Sequence, residues 1–434
     1  MVQSTAARVP LGPHRVDWHN LFLTAVLLAV PVQGLLSISS DRRGPHWDES
    51  SHIAWGYAYL TQGAFSLGND TPPLVHMLEA VPLLFIPKVA LPPNWDRLGQ
   101  IAIGDQFVNQ NGVPASTIIF WGRVPSVLLL TLLTWLVYKW GREMVGSGGG
   151  LLAALFCATD PSLLGRAGFI GTDIGVALFA LLAVRWFLRY LESPGLGTGA
   201  LAGLGLGLAL VTKFSSVFLF PAGTLLLAIW VVREWRRVTS ALHETKGDKR
   251  RKLRREFRDA LVARLRGIVW IVTIAAFVIV LTYRVTEVNN FWDGLKLQIG
   301  RASSTYINFM LGEFSETGWW YYYPLALLVK TPIPVLIATA LSCRRLGWRE
   351  AQLLVAPATL FFLACRSSVQ MGPRYILPIY PFLAIFAARL VAQPWMRTMA
   401  GRVALGLLIA WQVATSLRIF PGYPMFYNEL VTLT

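Results

Sequence analysis

The chain has 434 residues, of which 54% are hydrophobic and only 14% are charged, and its formal net charge is +16. Soluble domains carry about 25% charged residues, so this composition excludes an ordinary soluble domain and indicates a membrane protein. The basic balance fits Lys- and Arg-rich cytoplasmic loops better than nucleic-acid binding. Three widely spaced cysteines without a CxxC pair predict neither a disulfide framework nor a zinc site.

Eleven stretches are apolar enough to cross a bilayer, which requires roughly 20 mostly apolar residues. They cover about residues 20–40, 119–138, 147–164, 172–190, 195–212, 214–232, 267–284, 320–341, 351–366, 375–392 and 401–419. The first is expected to be an uncleaved span, because the form of a cleaved signal peptide is lacking. Residues 74–91 are broken by two prolines and two charged residues and predict a helix in the membrane interface. We therefore predict an all-α, polytopic membrane protein with one transmembrane domain over residues 1–434.

The distribution of Lys and Arg predicts the orientation of these spans. Residues 233–266 hold thirteen basic residues between two spans, and such loops stay in the cytoplasm. Apolar residues recur every four positions from Leu253 to Leu265, so a helix lying against anionic headgroups is expected there. Alternation then places two long loops, 41–118 and 285–319, outside the cytoplasm.

With this topology, the polar and aromatic clusters fall on the outer side of the membrane. They are HWDESSH (46–52), NDTPPLVH (69–76), GRAGFIGTD (165–173), TKFSS (212–216), NFMLGEFSETGWWYYYP (308–324), MGPRY (371–375) and PGYPMFYNEL (421–430). Adjacent acids at a membrane surface can deprotonate a hydroxyl or amine, and nearby bases can neutralise a phosphate. The pattern favours group transfer from a lipid phosphate. Use of a nucleotide-linked substrate is disfavoured, because no cytoplasmic domain would bind it.

An ordered set of short motifs carries a family resemblance. The string DExxHxxxGYxYLxxGxF runs from Asp48 to Phe65, and it is followed by PPL (72–74), RVP (123–125), GTD (171–173), TKF (212–214), YYPLALLVKTPIP (322–334) and RYILP (374–378). This set resembles the polyprenyl-phosphate-sugar-dependent glycosyltransferases of the GT-C class, such as protein O-mannosyltransferases and lipid A aminoarabinose transferases. The resemblance covers nearly the whole chain in the right order.

The resemblance implies an inverting displacement at the anomeric carbon that releases polyprenyl phosphate. Asp48 would be the base that activates the acceptor, Glu49 would orient that base or the donor, and Asp173 would be a second acid of the catalytic cavity. The candidates for binding the donor phosphate are Arg374, Arg123, Lys213, Lys330 and His76. The candidates for contact with the substrates are His52, Tyr57, Trp320, Tyr322 and Tyr375.

Two features depart from the family pattern. Thr71 stands where relatives commonly have Lys or His, and His76 where they often have Lys. Because histidine serves a phosphate only when it is protonated, we expect donor affinity to depend on pH. The chain also ends at Thr434, soon after a PxxxxYxN segment at 421–428 beyond which many relatives continue. No resident cofactor or metal ligand set is predicted, although the paired carboxylates permit a divalent cation.

The expected partners are a polyprenyl-phosphate sugar, an acceptor outside the cytoplasm and the bilayer of the plasma (inner) membrane, with no nucleic acid. Two other functions stay open at this stage. A transporter or flippase of lipid-linked sugars would bind without reaction, but its polar groups should follow a path through the bilayer, whereas the inner halves of these spans hold few. A non-catalytic partner subunit would be indicated by a dispensable Asp48.

Overall fold

A computed structural model describes residues 17–40, 44–243, 248–302, 306–344 and 346–432. The α-helices are α1 (Trp18–Ser40), α2 (Trp47–Gln62), α3 (Leu74–Ala80), α4 (Gln100–Asn109), α5 (Ala115–Ala158), α6 (Pro161–Ala167), α7 (Asp173–Glu192), α8 (Leu196–Leu210), α9 (Leu219–His243), α10 (Asp248–Thr282), α11 (Asn289–Ala302), α12 (Tyr322–Lys330), α13 (Ile333–Ser342), α14 (Trp348–Cys365), α15 (Ile379–Ala387), α16 (Met399–Ile419) and α17 (Glu429–Thr432). Within these ranges the strands are β1 (Asn308–Met310) and β2 (Glu313–Ser315), which form an antiparallel hairpin with Phe309 opposite Phe314. The predicted all-α class is confirmed.

Six described helices are long and apolar enough to cross a membrane. They are α1, α5, α7, α9 with the 3-10 turn before it, α10 and α16. Helices α12 and α13 pass the same test as a pair, but they are bent by 109° at a short break. Helix α8 is also apolar but shorter than these six, and so is α15 taken together with the 3-10 turn that follows α15. The total of eleven spans stays a prediction.

The predicted span 119–138 and most of the predicted span 147–164 lie in α5, which consists of two helical halves joined at a sharp kink; the last residues of 147–164 reach α6. Gly146 lies at the kink with φ of +83°, a backbone conformation that residues with a side chain rarely adopt. The charged residues Lys139, Arg142 and Glu143 precede the kink while the backbone is still helical, so the two halves follow each other without a long loop. The turn after α5 then leads into α6 and the loop that precedes α7.

Helix α8 packs between α7 and α10 through its glycines. A Cβ atom on Gly205 would lie 2.8 Å from the Cα of Ala183 in α7, and one on Gly207 would lie 2.7 Å from the Cβ of Val278 in α10. Small residues let membrane helices approach this closely. The packing holds the end of α8, and with it Lys213, beside the start of α7.

The described residues of the basic segment, 233–243 and 248–266, are helical extensions of two spans, the end of α9 and the first half of α10. Arg264 of α10 donates from Nε to the carbonyl of Leu191 at 2.9 Å, and its guanidinium lies 3.9 Å from the ring centre of Trp230. Leu191 lies at the C-terminal end of α7, whereas Asp173 begins that helix. The basic segment and Asp173 are therefore at opposite ends of α7.

The first long loop, predicted over 41–118, contains an ordered helical layer. Helices α2, α3 and α4 pack together around the buried side chains of Ile53, Tyr59, Phe65 and Phe107. The predicted interfacial helix at 74–91 is instead the short helix α3 followed by a 3-10 turn, and its polar residues His76 and Glu79 are fully buried. They point into the protein because the carboxyl and the imidazole find partners there.

Candidate active site

A cavity of about 360 Å³ lies where the first loop, the start of α7, the end of α8 and the segment before α15 meet. Its charged lining residues are Asp48, Glu49, Asp70, Asp173, Arg166, Lys213, Arg301 and Arg374. Of the predicted site residues, the cavity also includes His52 and Tyr375. It brings together Asp48 and Arg374, which are 326 residues apart in the chain.

Asp48 lies in the first turn of α2 and is accessible from the cavity. Its side chain is 38% exposed, and its Oδ2 lies 3.4 Å from Nη1 of Arg374. The backbone just before Arg374 is held by Tyr322, whose hydroxyl accepts from the N–H of Gly372 at 2.8 Å. Asp48 therefore presents a carboxylate to any molecule that enters the cavity, next to a guanidinium that can hold an anion.

Glu49 is buried, with 1% of the residue exposed, and forms a bidentate ion pair with Arg123. The Nε–Oε1 distance is 2.8 Å and the Nη2–Oε2 distance is 2.7 Å. The backbone N–H groups of Ile170 and His46 also donate to this carboxylate, at 2.8 and 2.7 Å. Arg123 does not line the cavity, so the geometry gives it a contact with Glu49 rather than with a donor phosphate.

Glu79 performs a similar task, which sequence reasoning missed. Its Oε1 accepts from the backbone N–H of Gly171 at 2.6 Å and from the Ser126 hydroxyl at 2.8 Å. Burial raises the pKa of Glu79 to about 8. Glu49 and Glu79 thus hold the adjacent N–H groups of Ile170 and Gly171, just before α7. The signal was an acid inside an apolar stretch, and it was taken only as an interruption of that stretch.

Asp173, the first residue of α7, is held by two cations. Its Oδ1 lies 2.6 Å from Nζ of Lys213, and its Oδ2 lies 3.6 Å from Nε of Arg166. Burial lowers the pKa of Lys213, while the charge of Asp173 opposes that shift. The Lys213 ammonium also lies 5.3 Å from the ring centre of Tyr375. The predicted acid Asp173 and the predicted base Lys213 form one unit in the cavity wall.

The net charge of the cavity wall suits an anion. Four cations line the wall together with the carboxylates of three aspartates; they are Arg166, Lys213, Arg301 and Arg374, with Asp48, Asp70 and Asp173. Glu49 is left out of this charge balance because Arg123 neutralises it behind the wall. Four positive charges against three negative ones leave a surplus of one. Asp70 pairs with Arg301 at 3.0 Å. Three of the four cations are arginines, whose fork binds two phosphate oxygens at once.

Two predicted histidines contact each other at the cavity wall, His52 in the lining and His76 behind it. The rings of His52 and His76 have centroids 4.3 Å apart, and burial lowers the pKa of each to about 4. His76 is absent from the cavity wall, and its Nε2 lies 3.2 Å from the Thr71 hydroxyl oxygen. Both rings are neutral at physiological pH. The expectation that a protonated His76 serves the donor phosphate has no support from this geometry, because a buried imidazolium would lose its hydration.

The other predicted residues lie outside this cavity. Lys330 donates from Nζ to the Phe426 carbonyl at 2.6 Å and lines a neighbouring cavity of about 180 Å³. Tyr57 donates to the Val89 carbonyl at 2.9 Å within the first loop. Trp320 is 73% exposed on the surface.

Within the described parts of the chain, no group of three His, Cys, Asp or Glu side chains is arranged to hold a metal ion. A pair of carboxylates with a histidine, such as Asp48 with His52 and Asp70, lines the same wall, but these side chains do not form one ligand cluster. The divalent cation therefore stays a prediction.

Comparisons with known proteins support one family of folds. Residues 117–244 match the family model described as dolichyl-phosphate-mannose-protein mannosyltransferase. A stretch of 115 residues is 26% identical to the lipid A galacturonosyltransferase RgtD of Rhizobium johnstonii, and it covers 26% of this chain and 24% of that protein.

Two solved proteins have the same architecture as this chain. The structure of ArnT from Cupriavidus metallidurans in the apo state has a TM-score of 0.57 at 15% identity and covers 93% of this chain and 65% of that one. The structure of the same protein bound to undecaprenyl phosphate has a TM-score of 0.54 at 17% identity and covers 94% of this chain and 71% of that one. The structure of the oligosaccharyltransferase AglB from Archaeoglobus fulgidus, in complex with an inhibitory peptide and a dolichol-phosphate, has a TM-score of 0.51 at 14% identity. It covers 94% of this chain and 55% of that one.

The chain thus spans about a quarter of the curated relative and a little under two thirds of apo ArnT. Similarity below 25% identity supports the fold, which here extends over more than nine-tenths of the chain. The resemblance predicted from the sequence is confirmed, and the chain is a multi-pass membrane protein with the fold of the GT-C glycosyltransferases.

Proposed function

We propose that the chain transfers one sugar from a polyprenyl-phosphate donor to a hydroxyl or amine of an acceptor outside the cytoplasm. The observation that carries this proposal is the cavity in which the accessible carboxylate of Asp48 faces Arg374, Lys213 and Arg166. A base and a cationic phosphate site are the two groups that displacement of a sugar from a phosphate requires. The undecaprenyl phosphate and dolichol-phosphate bound to solved proteins of this fold support the donor class.

In the proposed reaction, the acceptor oxygen or nitrogen forms a bond to the anomeric carbon while the bond from that carbon to the phosphate oxygen breaks. Asp48 takes the proton of the acceptor, and the polyprenyl phosphate leaves with the bonding electrons. Arg374 and Lys213 would stabilise the negative charge that grows on the leaving phosphate. The acceptor approaches the anomeric carbon from the side opposite to the departing phosphate, so the configuration at that carbon is inverted.

Glu49, Arg123 and Glu79 would act as positioning residues. They hold the backbone just before α7 through Ile170 and Gly171, and that backbone carries Asp173 into the wall. Asp173 in turn fixes the Lys213 ammonium at 2.6 Å. The proposed contribution of Asp173 is therefore to orient a cation toward the phosphate, while Asp48 is the base.

The orientation of the cavity toward the extracytoplasmic side is supported by charge. The cavity lies at the start of α7, and the basic segment of α10 contacts the end of α7 at Leu191. Basic loops of membrane proteins stay in the cytoplasm, so the opposite end of α7 would face outward. The plasma (inner) membrane is the proposed location.

The test is a transfer assay with the purified full chain in liposomes. Radiolabelled polyprenyl-phosphate sugars and a membrane extract as the acceptor source would be given to the wild type, to Asp48→Asn and to the control Asp96→Asn. Asp96 is an exposed acid in the same loop and lies outside the cavity. We expect Asp48→Asn to lower transfer about 10²-fold or more, as loss of a general base does, while donor binding and Asp96→Asn activity are retained.

The same assay separates the alternatives. Transfer that survives Asp48→Asn would remove Asp48 from the mechanism. Donor binding without transfer by any of the three proteins would contradict the enzyme and favour the transporter or the partner subunit.

A further inference from the structure

A second cavity, of about 240 Å³, lies between α5 and α7 far from the proposed active site. Each helix contributes five residues with the same spacing, from Trp135 to Glu143 and from Leu181 to Arg189. In a helix this spacing collects side chains on one face. Arg185 follows Asp173 by 12 residues, or about 18 Å along α7, so this cavity lies toward the other end of the same helix.

The charges in this second cavity are unbalanced. Arg185 and Arg189 share the single carboxylate of Glu143, and Nη2 of Arg189 lies 2.8 Å from its Oε1. Lys139 is exposed, and no ion pair joins it to a carboxylate within the described residues. Three cations against one acid leave two positive charges in a cavity at the end of two membrane spans.

Tryptophans surround these cations. The Lys139 ammonium lies 5.7 Å from the ring centre of Trp135, and the Arg185 guanidinium lies 5.6 Å from that of Trp140. Trp186 of α7 completes the set. Tryptophan is enriched at the depth of the lipid headgroups, and basic pockets between membrane helices bind phosphate headgroups.

We propose that this cavity binds the phosphodiester headgroup of an anionic phospholipid from the leaflet opposite the proposed active site. Lys139 and the two arginines would hold the phosphate, and the leucine and tryptophan side chains of the lining would contact the glycerol and the first part of the acyl chains. A lipid is favoured over free phosphate because the charged residues and the apolar residues of the cavity lie on the same faces of two spans. The inference is independent of the sugar-transfer proposal, since no residue is shared between the two cavities.

The test uses the full chain in nanodiscs that contain equal amounts of phosphatidylglycerol and phosphatidylcholine, with native mass spectrometry of the lipids retained after transfer to detergent. The variants are Lys139→Gln and, as the matched control, Arg402→Gln. Lys139→Gln leaves the pairs of Glu143 intact, and Arg402 is an exposed basic residue near the start of α16 and outside the cavity. A separate arm titrates inorganic phosphate into lipid-free protein in detergent.

We expect the wild type and Arg402→Gln to retain phosphatidylglycerol in preference to phosphatidylcholine. Lys139→Gln should bind it about fivefold more weakly, which is the effect of one basic residue near an anionic surface. Equal retention of the two lipids by the wild type would overturn the proposal, as would equal losses in the two variants. Saturable binding of inorganic phosphate that Lys139→Gln abolishes would assign the cavity to a free anion and would also overturn it.

Discussion

Glu49→Gln tests whether the buried ion pair with Arg123 organises the active-site wall. The Glu49 carboxylate accepts four hydrogen bonds, two from Arg123 and one each from the backbone N–H groups of Ile170 and His46. Glutamine keeps one acceptor oxygen and turns an NH₂ group toward donors. Breaking a buried ion pair costs about 3–5 kcal/mol, so we expect a loss of that size in the free energy of unfolding.

The assay is unfolding of the purified protein in mixed micelles with increasing SDS, followed by tryptophan fluorescence. Glu256→Gln is the control, because Glu256 is 60% exposed and lies 3.9 Å from Lys252 in a surface pair. Such pairs contribute about 0–1 kcal/mol. The double variant Glu49→Gln with Arg123→Met should recover part of the lost stability, because it removes the buried guanidinium charge as well.

Two results would refute this reasoning. One is a Glu49→Gln protein that unfolds at the same SDS concentration as the wild type. The other is a double variant that is less stable than Glu49→Gln, since the cost would then come from packing and not from an unbalanced buried charge.

Three further predictions follow from individual contacts. Lys213→Met should lower the rate of sugar transfer about 10²-fold, because it removes a cation that faces the developing charge on the phosphate. Lys296→Met, at an exposed position of α11, should not lower the rate. Equal activity of the two variants would contradict this role of Lys213. The folded-state pKa of Glu79 is about 8, above its ordinary value of 4.5, so the native state binds more protons than the unfolded state. The free energy of unfolding should therefore fall by up to about 2 kcal/mol as pH rises from about 6.5 to 8. The fall should be smaller in Glu79→Gln when unfolding is measured at both pH values, and an equal fall in the two proteins would refute the prediction. Gly205→Ala should destabilise the protein by about 1–3 kcal/mol, because its Cβ would approach the α7 backbone to 2.8 Å; Gly197→Ala, which meets nothing within 4 Å in the same helix, should leave unfolding unchanged.

Much of the site could be predicted from motifs along the chain. Asp48, Asp173, Lys213 and Arg374 were predicted individually and line one cavity, because each lies at the edge of an apolar run and alternate edges along the chain lie at the same membrane face. Their roles stay predictions until they are tested by substitution.

Other residues could not be assigned in this way. Arg123 was predicted to bind phosphate, and it pairs with Glu49, 74 residues away. Lys330 donates to a carbonyl 96 residues away. Local sequence does not reveal such long-range contacts, because the neighbours of each residue in the chain are the same whether or not the two residues are in contact.

The sequence by itself determined that this is a helical membrane protein with polar motifs between its apolar runs, because uncharged runs of about 20 residues are stable only as helices in a bilayer. Only the tertiary structure decided that Glu49 and Glu79 hold neighbouring N–H groups before α7, and that Lys139 and Arg185 share a cavity at the other end of that helix. Those contacts depend on which helix faces pack together. Helix packing is set by the fit of many side chains at once, and no single stretch of sequence contains that information.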